Sequence, residues 1–164
     1  MSHEDYRVTA RIIAEHGDAA RFRGEQPDEL VEQAESALGV RLPPSYRAFV
    51  SELGAGHIAG EEFYGVTSND FVNSSVPNGI WLTLTERQDS GLPEPLVIVY
   101  EDDEGDYYAL DTAQETGEGE NPLVRWTPGV SQPADDLEVV ADDFGGFFRE
   151  TIQDGLSRRG MASS

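Results

Sequence analysis

The side chains best suited to chemistry are four consecutive carboxylates, Glu101 to Glu104, with Asp106 close behind. Carboxylate oxygens are the ligands that calcium and magnesium prefer in proteins. An EF-hand loop, however, needs oxygen ligands at alternate positions and a distal glutamate, and this run does not have that spacing. Gly105 falls where a hairpin turn is expected, so the pattern favours a solvated acidic turn over a metal site.

Two carboxyl groups on either side of a glycosidic bond are the catalytic unit of glycoside hydrolases. With 32 acidic residues in 164, some pair could lie at the required distance. The catalytic acid also needs an apolar pocket that keeps it protonated, and the sequence does not reveal such a pocket. A hydrolase that uses acidic residues therefore stays open as an alternative, and so does a calcium-binding module.

Other catalytic motifs are missing from the sequence. The glycine-rich segment LGAGHIAGEE matches neither phosphate-binding signature, and its two glutamates would repel phosphate. His3, His16 and His57 lack the spacing of a zinc site, and no serine lies in a G-x-S-x-G elbow. Cysteine is absent and all eleven basic residues are arginine, so thiol and Schiff-base chemistry have no residue to use. We predict a protein that is not an enzyme and that has no cofactor and no metal.

Charge is the strongest global signal. The formal net charge is −21, and residues 101–143 hold fourteen acids with Arg125 as their one basic residue. Such a chain would repel nucleic acid and anionic membranes, so neither is expected as a partner. The N-terminus lacks the basic head and apolar run of a signal peptide, and no stretch has the roughly 20 apolar residues of a membrane helix. We therefore expect a cytoplasmic protein.

The elements that would position the acidic run can be read from hydrophobic spacing and from helix stop signals. Gly39 and Gly54 are expected to end two of the helices, since a glycine readily takes the positive φ of a helix stop. The segment GEEFYGV reads as a short strand. PNGIWLTLTERQDSG fits a strand or a helix, and we favour a helix. In the first third of the chain, helices are expected at about residues 4–16, 27–38 and 44–53.

The second half of the chain has the pattern of a sheet closed by a helix. Residues 96–100 and 107–110 are expected to pair as a hairpin around the acidic run, with a third strand at 123–126. The segment AQETGEGEN between them reads as a flexible loop. The last helix, DDFGGFFRETIQDGL, should be capped by Asp142 or Asp143 and should pack its phenylalanines on the sheet. This order of elements predicts an α+β domain with an antiparallel sheet flanked by helices.

Several of these segments resemble a known family. The signature of Smi/Knr-type proteins of the SUKH superfamily is similar to the segment LVEQAESALGVRLPPSYRAFVSELGAG followed by GEEFYGV. Three later segments follow in the family's order, namely EGDYYALDT, PLVRWTPG and ADDFGGFF. The resemblance implies one SUKH-like domain at residues 26–156, which leaves 1–25 as an N-terminal helical extension and 157–164 as a flexible tail. Its matched residues have the character of scaffold: Leu42, Pro43, Pro44, Tyr46, Phe49, Gly54, Gly56 and Asp111.

The family implies binding and supplies no catalytic residues to carry over. Its members are known mainly as immunity proteins that neutralise toxins delivered between competing bacteria, and fungal relatives regulate cell-wall assembly. The acidic run departs from the glycine-rich turn expected there, which suggests a basic protein toxin as the partner. Aromatic side chains beside carboxylates are typical of protein interfaces. The candidate partner-binding residues are Glu61, Glu62, Tyr64, Glu101, Asp102, Asp103, Glu104, Asp106 and Tyr107.

Overall fold

A computed structural model describes residues 2–160, and within them the chain forms five helices and seven strands. The helices are α1 (Ser2–Glu15), α2 (Asp28–Leu38), α3 (Pro44–Glu52), α4 (Gly79–Asp89) and α5 (Phe144–Arg158). The strands are β1 (Ala20–Phe22), β2 (Gly56–Ile58), β3 (Glu61–Phe63), β4 (Leu96–Glu101), β5 (Tyr107–Asp111), β6 (Leu123–Trp126) and β7 (Val139–Ala141).

All seven strands belong to one antiparallel sheet, in which each strand pairs with its neighbour in the sequence. The tight turn between β2 and β3 has positive φ at both Ala59 and Gly60, as a two-residue hairpin turn requires. The predicted hairpin of β4 and β5 is confirmed, and so is the strand at 123–126. The α+β class with an antiparallel sheet flanked by helices is likewise confirmed.

Helices pack on both faces of the sheet, and strand β4 shows the division. Val97 and Val99 belong to the core that α1, α2, α3 and α5 cover, whereas Leu96 and Ile98 belong to a second core that includes Leu82 of α4. Side chains alternate between the two faces of a strand, so an apolar run such as 96–99 is buried on both sides.

The larger core contains a cluster of aromatic rings, many of which pack edge to face. Phe148 of α5 lies 4.8 Å from Phe63 of β3, measured between ring centroids, and 5.2 Å from Phe49 of α3. Helix α5 contains three glycines, and Gly145 has a clear packing reason. A Cβ on Gly145 would lie 2.0 Å from the carbonyl oxygen of Ser2, so the glycine allows α1 to approach α5 closely.

Strands β1, β2 and β7, of three residues each, were missed by the sequence interpretation. The ambiguous segment before residue 90 is a helix, as favoured. Its start is set by Asn78, whose side-chain oxygen accepts the amides of Ile80 and Trp81 at 3.1 Å.

Both ends of the chain pack more closely than the sequence indicated. Helix α1 packs along α5, and β1 extends the sheet, so the segment before residue 26 shares the common core. Helix α5 continues to Arg158, two residues into the segment predicted as a flexible tail. The part of that tail from residue 161 onward lies outside the described residues.

Candidate partner-binding surface

The acidic turn, residues Glu101–Asp106, joins β4 to β5 and is held by one of its own carboxylates. Asp102 Oδ1 accepts the amides of Glu104 at 2.9 Å and Asp106 at 3.0 Å, and the Asp102 amide donates to the Asp106 carbonyl at 2.9 Å. An aspartate that bonds to the following amides fixes a turn in this way. Asp102 and Asp106 therefore shape the turn.

The remaining carboxylates of the acidic turn point into solvent. Glu101, Asp103 and Glu104 are exposed. Five ion pairs occur within residues 2–160, and none of them involves the acidic turn. The turn is thus a compact source of negative charge that the chain's own arginines leave unneutralised.

Two tyrosines lie beside the acidic turn on the sheet face that α4 covers. Tyr64 is 5% exposed, and its hydroxyl donates to Glu101 Oε1 at 3.4 Å. Burial raises the pKa of Tyr64, and the charges of Glu101 and Glu62 raise it further. Burial also raises the pKa of Tyr107 to about 12, with contributions from Glu86 and Glu101. The Tyr64 hydroxyl is thus a hydrogen-bond donor to Glu101, and ionisation of either tyrosine beside these carboxylates is disfavoured.

The predicted residues do not all share one face. Glu61 lies on the opposite side of β3 from Glu62, because neighbouring residues of a strand alternate. Its carboxylate accepts the Tyr100 hydroxyl at 2.6 Å and pairs with Arg158 of α5 at 2.8 Å. The structure brings Glu62, Tyr64, Glu101 and Tyr107 together and places Glu61 elsewhere. Since Tyr64 is buried, only its hydroxyl is directed toward the surface.

The scaffold motif supports this arrangement through Tyr46. This side chain is fully buried in α3, and its hydroxyl donates to the backbone carbonyl of Tyr64 at 2.8 Å. Leu42, Pro43 and Phe49 are buried around it, and Gly54 ends the helix with φ 75°. At the far end of the hairpin, the side chain of Asp111 accepts the Ala113 amide at 3.1 Å and so closes β5. Pro44, the first residue of α3, is exposed.

Glu120 was missed, although it is the most deeply enclosed acid of this region. It is 3% exposed, and its two oxygens accept the amide and the hydroxyl of Ser45 at 2.9 and 2.8 Å. The Ser45 hydroxyl in turn accepts the Gly145 amide at 3.1 Å. Burial raises the pKa of Glu120, although the two bonds from Ser45 oppose the rise. The expectation of a flexible loop at AQETGEGEN is therefore wrong at its end, where Glu120 caps the start of α3.

Within residues 2–160, no three His, Cys, Asp or Glu side chains are grouped so that they could hold a metal ion. In the same residues, no helix has the length and apolar character needed to cross a bilayer.

The family assignment rests on a match over most of the chain. Residues 28–148 match the sequence profile of the SUKH_6 family, described as SMI1-KNR4 cell-wall. The chain belongs to the SMI1-KNR4 family. The match runs from the start of α2 into α5 and so includes six of the seven strands. The resemblance drawn from the scaffold motif is confirmed. The family is associated with immunity or with cell-wall regulation, and it suggests a protein as the partner.

Proposed function

We propose that this SMI1-KNR4 protein is a non-catalytic immunity protein of the bacterial cytoplasm, which binds a basic toxin through its acidic turn and so blocks the toxin. The observation that carries the proposal is the state of Glu101, Asp103 and Glu104. They are exposed, closely spaced and without a basic partner in the described residues. A surface of this kind is complementary to a cluster of arginines or lysines.

The mechanism would combine electrostatic steering with steric occlusion. A net charge of −21 attracts a cationic protein over several ångströms, which increases the rate of encounter. The hydrogen bonds of Asp102 preorganise the turn, so little conformational entropy is lost when the partner docks. The half-buried Tyr107 adds an aromatic contact at the base of the turn.

The hydrolase alternative would need a buried acid that is free to act. Glu120 has the raised pKa, but both of its oxygens are held by Ser45 at a helix start. This geometry supports a structural role for Glu120.

The calcium alternative would need the acidic turn to present its oxygens to an ion, and Asp102 instead directs one oxygen to two backbone amides.

The test is binding to candidate toxin domains from the genes that adjoin this one, each purified in a catalytically inactive form. A triple variant with Glu101→Gln, Asp103→Asn and Glu104→Gln keeps Asp102 and hence the turn. We expect it to bind roughly tenfold more weakly, at about 0.5 kcal/mol per exposed charge.

The matched control removes three exposed, unpaired carboxylates elsewhere, through Glu15→Gln, Glu25→Gln and Glu32→Gln. We expect the control to bind like the unaltered chain. Equal losses in the two variants would show that only net charge matters, and unchanged affinity in the triple variant would refute the role of the acidic turn. Hydrolysis of a glycoside by the purified chain would refute the non-catalytic assignment.

A further inference from the structure

Strand β7 is an edge of the sheet, with β6 as its one partner strand. In residues 2–160 the main-chain groups of Val139–Ala141 make no hydrogen bond to any segment other than β6. The register skips one residue between its two pairs, which leaves Val140 as a bulge. An edge strand with free amides and carbonyls is a template for the addition of another strand.

The side chains of β7 give this edge no charged or proline protection, so its protection is limited to its short length and its bulge. Proteins protect edge strands with lysine, proline, inward charges, short length or bulges; Val139, Val140 and Ala141 are all apolar, and the strand has three residues with the bulge at Val140. Val139 is 53% exposed, one of the most exposed large apolar side chains of the described residues. The strand therefore offers both hydrogen-bonding groups and apolar contact to an incoming chain.

A groove runs between β7 and helix α5. It consists of two contiguous cavities of about 480 and 320 Å³, which share β7, Phe147 and Glu150 as lining. The lining is mostly polar and acidic, with Phe147 and the valines of β7 as its smaller apolar part, and Asp5 is already paired with Arg149 at 2.8 Å. Arg125 is the one basic residue of this lining, and it is already paired with Glu138 at 3.6 Å. The acids that line the groove are Asp5, Glu138, Asp142, Asp143, Glu150 and Asp154.

We propose that β7 and this groove accept an extended basic segment of a partner protein, which adds to the sheet as an eighth strand. Backbone hydrogen bonds to β7 would supply affinity, as in other strand-addition complexes. Apolar side chains of the segment would contact Val139 and Val140, and its arginines or lysines would meet Glu150 and Asp154. These two acids are exposed, lie one helical turn apart and have no ion pair in residues 2–160.

The opposite edge of the sheet, strand β1, is less suited to a basic segment than β7 is. It also indicates the main alternative occupant of β7, which is a second copy of this chain. Strand β1 carries Arg21, and Arg23 follows it, so that edge would repel a basic segment. The same arginines could in principle bring β1 of a second copy onto β7. The net charge of −21 on each copy opposes such self-association. A basic partner is favoured for this reason, and the second copy becomes an outcome of the test.

The probe is a fluorescent hexapeptide of alternating valine and arginine with blocked termini, and its binding is followed by anisotropy. Its control has the same sequence with every backbone nitrogen methylated, which keeps the charges but removes all strand-forming amides. We expect saturable binding of the first peptide and at least about tenfold weaker binding of the second, because backbone hydrogen bonds provide the affinity.

Variants of the protein locate the site. The double variant Glu150→Gln and Asp154→Asn should bind the probe about fivefold more weakly, and Val139→Arg should abolish binding by placing a like charge on the exposed edge. Glu15→Gln with Glu32→Gln removes the same charge elsewhere and should leave binding unchanged. The acidic-turn triple variant should lose no more affinity for the probe than the control variant loses, since Glu101, Asp103 and Glu104 do not line the groove. Thermal unfolding of each variant checks that the fold is retained.

Four results would overturn the proposal. The first is that the probe does not bind, and the second is that both peptides bind equally well. The third is an equal loss of affinity in the groove variant and its control, which would reduce the effect to net charge. The fourth is sedimentation that shows copies of the chain associating through this edge, which would assign the edge to self-assembly.

Discussion

Replacement of Glu120 by alanine should destabilise the protein severely, although the residue lies in a stretch that looks like a solvated loop. The change would leave the buried amide of Ser45 without an acceptor, which costs about 1–3 kcal/mol. It would also remove the hydrogen bond from the Ser45 hydroxyl to a carboxylate, which is worth roughly another 1–2 kcal/mol. We expect a total loss of about 3 kcal/mol, a large share of the roughly 5–15 kcal/mol typical of a domain.

The assay is urea unfolding, monitored through the fluorescence of Trp81 and Trp126, which report on α4 and on the sheet. Glu118→Ala is the matched control, because Glu118 lies in the same loop and is exposed. It should change the free energy of unfolding by less than about 0.5 kcal/mol. A Glu120→Ala variant as stable as this control would refute the capping role.

The pH dependence of the free energy of unfolding gives an independent check of the role of Glu120. Its pKa is higher in the folded protein than the ordinary value of 4.5, because burial disfavours the charged form. The folded state therefore holds the proton more tightly than the unfolded state does. The stability of the native chain relative to Glu120→Gln should be greatest below about pH 4.5 and should fall as the pH rises through the folded-state pKa. A difference that grows with pH would contradict this assignment.

Three further predictions concern the scaffold and the turn. Tyr46→Phe should cost about 1–2 kcal/mol in urea unfolding, since the buried carbonyl of Tyr64 loses its donor; no loss would mean that water replaces the bond. Gly56→Ala should cost several kcal/mol or prevent folding, because the new Cβ would lie 2.1 Å from the Arg21 carbonyl oxygen, and thermal unfolding measures this; a normal melting temperature would contradict it. Asp102→Ala should loosen the acidic turn and speed its amide hydrogen exchange, whereas unchanged exchange would show that the turn is held by other contacts.

Much of the fold could be predicted because its helices and its central hairpin have strong local signals. Helix α5 begins at an aspartate that caps Gly146 and repeats phenylalanine at helical spacing. Strands β4 and β5 are apolar runs on either side of a polar turn. Strands β1, β2 and β7 have three residues each, too few to show a period of two, and β3 of the same length was found only as part of the longer segment GEEFYGV. They form because neighbouring strands supply hydrogen-bond partners, and a local pattern does not contain that information.

The sequence predicted which residue types form the candidate surface better than it predicted where their side chains lie. Exposure of Glu101, Asp103 and Glu104 follows from a polar hairpin turn. The burial of Tyr64 depends on α4, whose assignment was ambiguous in the sequence. Glu120 could not be found locally, because its partner Ser45 is 75 residues away in the chain. Ser45 follows two prolines, a pattern that indicates a helix start and does not show what caps it.

The most direct test of the electrostatic capture is the rate of association with the toxin domain, measured by stopped flow over a range of ionic strength. For the unaltered chain the rate should fall steeply as salt increases, because screening shortens the range of attraction. The triple variant of Glu101, Asp103 and Glu104 should associate more slowly at low salt, and its rate should depend less on salt. Equal rates and equal salt dependence in the two proteins would contradict the claim that the acidic turn captures a basic partner.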